Sequence, residues 1–342
     1  MGNNGLTGLS VKNFTAFSEL ELEFCPGVNV FIGANSTGKT HLLRLMYSAF
    51  DVDQWTFTWQ QKLAEVFLPY KGEIGRLVRR GKSAAELELR TIHLKTGVSI
   101  SRDQEHPMIS RPAESPWYDR RVNCVYIPAK EMLANAPGFL SLHAQREIHF
   151  EGVYVDILLR AYAPPLRENS LPEDFRVLLA DIERMIEGTV VSKGEEFFIS
   201  KGTWELEFTL LAEGYRKLGL LWQLIRNGTI AKDSILFLDE PEANLNPGMM
   251  RGVVAILLKL QRMGVQVFLA TNDYVVLREL DLQKEDSDQV RYFSLYKDKS
   301  SGEIACGTAD DLDAVDPNLI LDTFVNLYDR DVERALKIGK GS

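Results

Sequence analysis

The stretch "FIGANSTGKT", residues 31–40, decides the fold. Gly33, Gly38, Lys39 and Thr40 fit the pattern G-x-x-x-x-G-K-[ST], with Ala34, Asn35, Ser36 and Thr37 as the intervening loop. The glycines let backbone N–H groups turn inward around a phosphate. Lys39 reaches the β- and γ-phosphates, and Thr40 offers a hydroxyl to Mg²⁺ at the positive end of the following helix. The preceding "VNVFI" (28–32) is apolar and β-branched enough for a central parallel strand. The following "HLLRLMYSAF" (41–50) places Leu42, Leu45, Met46 and Ala49 on one helical face. Strand, phosphate loop and helix are therefore expected in that order, with a nucleotide bound between them.

A second motif completes such a site. "SILFLDEPEANLNP" (234–247) sets Asp239 and Glu240 at the carboxyl end of an all-apolar strand, where ligands sit in doubly wound sheets. Asp239 is read as part of the Mg²⁺ shell and Glu240 as the general base that polarises the attacking water of ATP hydrolysis. The next helix has its own cap in Asn246 followed by Pro247, so the two acids are not needed for capping.

The remaining composition sets bounds. The chain has 342 residues, 45% hydrophobic and 25% charged, which allows a large globular core. No apolar run approaches the ~20 residues of a membrane span, and "MGNNGLTGLS" (1–10) lacks the basic start and apolar stretch of a secretion signal. Leu6 breaks the myristoylation pattern. A cytoplasmic protein without a membrane partner is expected. Cys25, Cys124 and Cys306 are too few and too dispersed for a disulfide framework or a Cys-x-x-Cys metal site. His143 and His149 are spaced i, i+6 and do not stack on one helical face, so they are read as packed or surface residues. A net charge of −9 argues against nonspecific coating of nucleic acid.

Along the chain, residues 6–24 alternate as two half-buried strands with Asn13 and Thr15 near the bend, and 72–102 reads as short strands joined by turns. Residues 139–188 form a helical lobe, with one helix stopped by Pro164 and Pro165. A second starts after Pro172 on acidic residues and ends before Gly188. Strands return over 188–210. A helix over about 215–227 follows, then the strand 234–238, the helix 248–263 and the strand 265–270. The expectation is an α/β fold: one domain over 1–342, an inserted lobe at 139–188, and a strand and helix extension at 281–342.

Lys39 and Asp239 lie far further apart in sequence than one βαβ crossover requires. "LLAEGYRKLGLLWQLI" (210–225) precedes the acidic strand, with Gly214 at its mouth and Leu218, Leu221, Trp222 and Ile225 on one face. This order resembles the P-loop head of ATP-binding-cassette ATPases, with its antiparallel β part and helical lobe. Within that class it looks like the RecF, SMC and OLD branch, on "VKNF" (11–14), "GANSTGKT" (33–40) and "FLDEPEANLNP" (237–247). The resemblance implies ATP and Mg²⁺ as cofactors and a homo-oligomer built on an ATP-sandwich dimer, in which Gly214 and its helix face the partner chain's γ-phosphate. Two positions depart from the pattern. Ala212 stands where the signature carries a serine, with Arg216 or Lys217 available to compensate. In "VFLATNDY" (267–274), Asn272 stands where the switch histidine is expected; an amide hydrogen-bonds a phosphate oxygen or water but carries no charge, which implies slow hydrolysis. Lys130 or Glu131 in "VYIPAKEML" (125–133) occupies the region of the glutamine loop. No inserted segment shows sustained heptads, so a long coiled-coil arm is not expected.

Small ATPases of this branch often gate a separately encoded nuclease or toxin in prokaryotic antiphage defence, and the resemblance implies such an effector here. A RecF-like or SMC-like repair clamp and a scaffold with little hydrolysis are the alternatives. "GRLVRRGK" (75–82), with Arg76, Arg79, Arg80 and Lys82, is the segment a nucleic-acid backbone would contact, but most such runs are solvated faces and the acidic net charge favours that reading. Asp311 and Asp313 in "DDLDAVDPN" (310–318) form a D-x-D pair that a turn or helix cap also explains.

Overall fold

The computed structural model of the protein describes residues 5–50, 58–107, 122–146 and 149–339. The chain opens with the antiparallel strands β1 (Leu6–Phe14) and β2 (Phe17–Glu23), turning through Asn13 and Thr15, both at positive φ. It then enters β3 (Val28–Gly33), the phosphate loop and α1 (Lys39–Phe50). After α2 (Trp59–Phe67) come β4 (Ala84–Thr91) and β5 (Lys95–Ser101), which complete a four-stranded sheet of order β2-β1-β4-β5. β6 (Cys124–Ile127) leads into α3 (Phe139–Arg146), α4 (Gly152–Ala161) and α5 (Glu173–Ile186). A three-stranded meander follows, β7 (Thr189–Lys193), β8 (Glu196–Lys201) and β9 (Trp204–Glu207). The last part holds α6 (Glu213–Arg226), β10 (Ile235–Asp239), α7 (Pro247–Arg262), β11 (Gln266–Ala270) and α8 (Tyr274–Gln283). It closes with β12 (Val290–Lys297), β13 (Ile304–Ala309) and α9 (Leu319–Gly339).

The central sheet has the order β13-β12-β3-β11-β10-β6, parallel throughout except for β13. Every residue of β3, β6, β10 and β11 is buried, as strands covered on both faces must be, which explains their nearly continuous apolar runs, interrupted inside β3 by buried Asn29. The period of two still sorts side chains between two cores. Val30, Val125, Leu236, Leu238, Val267 and Leu269 face the layer containing α5, α6 and α7. Phe31, Tyr126, Phe237, Phe268 and Phe293 face α1 and the antiparallel sheet. There Phe31 stacks on Phe293 at 4.9 Å, Phe237 on Phe268 at 5.1 Å, and Phe24 from the end of β2 stands edge-on to Phe268 at 5.0 Å.

Two segments differ from the sequence reading. Residues 72–77 are short 3₁₀ turns (Tyr70–Gly72 and Ile74–Leu77) rather than strand. Gly75 is pressed so closely against the chain beyond β5 that a Cβ would lie 2.2 Å from the Arg102 carbonyl, and its N–H donates to the Gln104 carbonyl at 2.9 Å. The stretch after α8 does more than extend the domain: β12 pairs with β3 in the middle of the central sheet, Val290 opposite Val28. The helices between β6 and β7 share their core with that sheet through Phe139, Ile157, Leu158, Phe175 and Ile182. Among the described residues no helix is long and apolar enough to cross a membrane.

Candidate nucleotide site

The carboxyl ends of β3, β10 and β11 meet at one edge of the sheet, so motifs from the two halves of the chain converge there. Gly33 has φ +144° and Gly38 φ +99°, and Ser36 between them is also at positive φ. A Cβ on Gly33 would sit 2.2 Å from the Leu295 carbonyl and one on Gly38 2.4 Å from the Phe17 ring, so glycine is required by space as well as by conformation. Lys39 is 6% exposed, and its Nζ donates to the carbonyls of Gly33 at 2.6 Å and Ala34 at 3.2 Å. Burial lowers its pKa, while Glu240, Asp239 and Glu242 pull it back up. The Thr37 hydroxyl donates to the Ala34 carbonyl at 2.9 Å and closes the loop on itself.

Thr40 Oγ1 donates to Asp239 Oδ1 at 3.0 Å. The second oxygen, Oδ2, accepts from the Tyr126 hydroxyl at 2.9 Å. Burial raises the Asp239 pKa, and these two hydrogen bonds oppose the rise. A hydroxyl and a carboxylate beside a phosphate loop are hard oxygen donors, the set that Mg²⁺ takes, so these residues fit that ion. Glu240, next in the chain, is held at φ +45° by the bond from its N–H to the Ala270 carbonyl. Just past the end of β11, Asn272 Nδ2 donates to Asn35 Oδ1 at 3.0 Å, so the switch position touches the phosphate loop directly.

Gly33 to Thr40, Asp239, Glu240 and Asn272 therefore come together. Gly214 lies instead at the start of α6, where a Cβ would meet Leu245 at 2.7 Å. Arg216 turns inward, its Nε 3.1 Å from Glu131 Oε2. Glu131 also receives the backbone N–H groups of Leu133 and Ala134, and burial raises its pKa. The basic stretch is partly committed within the chain: Arg79 bonds the Ala16 carbonyl and Glu303, each at 2.6 Å, and Arg76 lies 3.2 Å from Glu73. Asp311 and Asp313 face Lys284 and Arg278 at 3.2 and 3.8 Å, as surface ion pairs do.

Two residues escape the motif reading, and a third, Lys217, is buried away from the compensating role expected of it. Lys217 is buried in α6 and donates to the Ala243 carbonyl at 2.6 Å, bracing the loop after Glu240. Glu242 accepts from Thr271 Oγ1 at 2.7 Å and the Asn272 N–H at 3.2 Å, joining the acidic loop to the switch. Tyr126 is the other; burial first, and the Asp239 charge second, push its phenol well above its usual range, so it stays a donor. Each carries a weak signal: an acid three residues after Asp239, a lysine four residues before Leu221 on the buried face of α6, and a hydroxyl in an otherwise apolar strand.

Fold and site together have the layout of a P-loop ATPase domain, and the comparisons find likeness to an AAA family, to RecF and to SMC heads. Residues 114–278 match the family described as "AAA domain, putative AbiEii toxin, Type IV TA system". Among curated proteins the chain is 35% identical over 85 residues to the DNA replication and repair protein RecF of Listeria welshimeri, covering 23% of this chain and 21% of that one. It is 38% identical over 79 residues to RecF of Limosilactobacillus fermentum, 21% of each chain. The matched stretch thus spans about a fifth of those relatives. Among solved structures, an SMC head bound to the C-terminal winged-helix domain of ScpA superposes with a TM-score of 0.55 at 12% identity, over 90% of this chain and 98% of that one. A Pyrococcus furiosus SMC head with an extended coiled coil, bound to the C-terminal domain of ScpA, gives 0.51 at 10% identity, over 96% and 99%. At those identities the likeness is one of fold.

Proposed function

We propose that the protein binds ATP with Mg²⁺ at the carboxyl ends of β3, β10 and β11, hydrolyses it slowly, and uses the nucleotide state to gate a separately encoded nuclease or toxin in antiphage defence. The observation that carries the ATPase reading is the Thr40–Asp239 hydrogen bond, which joins the phosphate loop to the acidic strand end with Glu240 next in the chain. Lys39 would exchange its two carbonyl acceptors for β- and γ-phosphate oxygens. Mg²⁺, held by Thr40 and Asp239, would neutralise charge on those phosphates. Glu240 orients the attacking water and takes its proton. Asn272 hydrogen-bonds the γ-phosphate region as a neutral amide, which supports slow turnover. In a sandwich of two copies, Gly214 and the N-terminus of α6 would face the partner chain's γ-phosphate. Arg216, committed to Glu131, is the weaker candidate for that contact.

The effector half rests on the matched family, whose description names the AbiEii toxin and a type IV toxin–antitoxin system. The RecF matches favour a second reading, a DNA-repair clamp. Fluorescent ATP-analogue binding and phosphate release by wild type, Lys39→Ala and Glu240→Gln test the enzyme: Lys39→Ala should lose binding, and Glu240→Gln should bind but turn over at least about a hundredfold more slowly. Equal turnover by wild type and Glu240→Gln removes Glu240 from its role. Phage challenge of cells carrying the chain and its genomic neighbour separates the two biological readings, since protection that survives Lys39→Ala is not ATP-gated.

A further inference from the structure

Asp239 is reached from a side that no motif covers. Tyr126, enclosed in β6, donates to Asp239 Oδ2 at 2.9 Å while Thr40 occupies Oδ1. Arg44, on the first turns of α1, lies near enough to the Tyr126 phenol for its charge to act on it, and its Nη1 lies 2.6 Å from Glu151 Oε1. Glu151 stands at the N-cap position of α4, its side chain turned to Arg44 and not capping the helix. Four side chains thus run from α4 across α1 and β6 to the acidic end of β10. Arg44 can donate to the phenol oxygen and to Glu151 at once, and the phenol donates onward to Asp239.

A carboxylate at a strand end can rotate about its terminal torsion, and outer hydrogen bonds select which oxygen faces an ion. With a donor on each oxygen, Asp239 is held in one orientation. We propose that Tyr126 is a positioning residue for the Mg²⁺ of this site, fixing the Asp239 carboxylate beside Thr40, and that Arg44 and Glu151 hold Tyr126 in place. The inference rests on the ATP–Mg²⁺ reading above. It also makes the metal site sensitive to the position of α4, a helix outside every nucleotide motif.

The test is binding of a fluorescent ATP analogue, titrated with Mg²⁺ and measured separately in EDTA. Tyr126→Phe keeps the ring and removes the hydroxyl. It should raise the Mg²⁺ concentration for half-maximal enhancement about tenfold, the usual scale for an outer partner of a metal ligand, and leave affinity in EDTA unchanged. Glu151→Gln should shift the midpoint in the same direction. A folded Tyr126→Phe with the wild-type midpoint overturns the proposal, and so does equal loss of binding in EDTA and Mg²⁺, which marks a structural role only. If Tyr126→Phe does not fold, Glu151→Gln decides alone, and an unchanged midpoint overturns the relay. Wild type that binds the analogue in neither buffer overturns the underlying ATP reading instead.

Discussion

Glu242 joins the acidic loop to the switch through one oxygen, while Oε2 is buried with no hydrogen-bond partner. Burial is the main reason its pKa is raised above the ordinary 4.5, against the pull of its own backbone N–H, Thr271 and the Asn272 amide. Glu131 is raised by burial in the same way. For such a group the unfolded chain releases its proton first, so the folded state binds more protons and stability falls as pH rises from the ordinary value through the raised one. The ligand-free protein should therefore lose melting temperature as pH rises from the ordinary 4.5 through these groups. Glu242→Gln, neutral throughout, should flatten that slope and gain melting temperature at the upper end. Calorimetry across the range checks it, and a variant with the wild-type slope would show that Glu242 is ionised in both states.

At the scale of elements, the strands act as sorting devices: alternate residues go to opposite cores, and most of the strand aromatics, Phe31, Tyr126, Phe237, Phe268 and Phe293, go to the second. Phe293 of β12 carries much of that second core, stacked on Phe31 and edge-on to Phe24 at 5.6 Å, with no measurable exposure. Two residues further along the same strand, the Leu295 carbonyl lies against Gly33, so β12 also backs the phosphate loop. Phe293→Ala should cost about 3–5 kcal/mol, the range for deleting a fully packed ring. Urea unfolding measures this, and a loss below about 1 kcal/mol would mean that the aromatic layer closes over the gap.

For the whole molecule, the site as built from one chain holds phosphate loop, acidic pair and switch, but leaves Gly214 at the mouth of α6 against Leu245 and Met249 rather than at the phosphate loop. In the proposed sandwich a second copy would bring its α6 N-terminus to this phosphate loop, and ATP between the two copies would supply the attraction. Glu240→Gln with ATP and Mg²⁺ should sediment at twice the monomer mass, and should return to monomer with ADP. Sedimentation velocity that is identical with and without ATP would exclude nucleotide-driven pairing.

What could be read from the sequence alone was local. The phosphate loop, the acidic strand end, the bounds of α5 and the Asn246 cap of α7 depend on spacing within a few residues, so composition and periodicity suffice. The apolar face of α6 was legible for the same reason, and Leu218, Leu221, Trp222 and Ile225 are all buried. Tertiary structure alone decided what depends on strand order. It inserted β12 beside β3, so that a segment beyond the last motif backs the phosphate loop. It turned Arg216 toward Glu131, and it brought Tyr126, Arg44 and Glu151 into line with Asp239. A side chain's partner across a sheet is fixed by which strand lies next to it, and no local pattern in the chain encodes that neighbour.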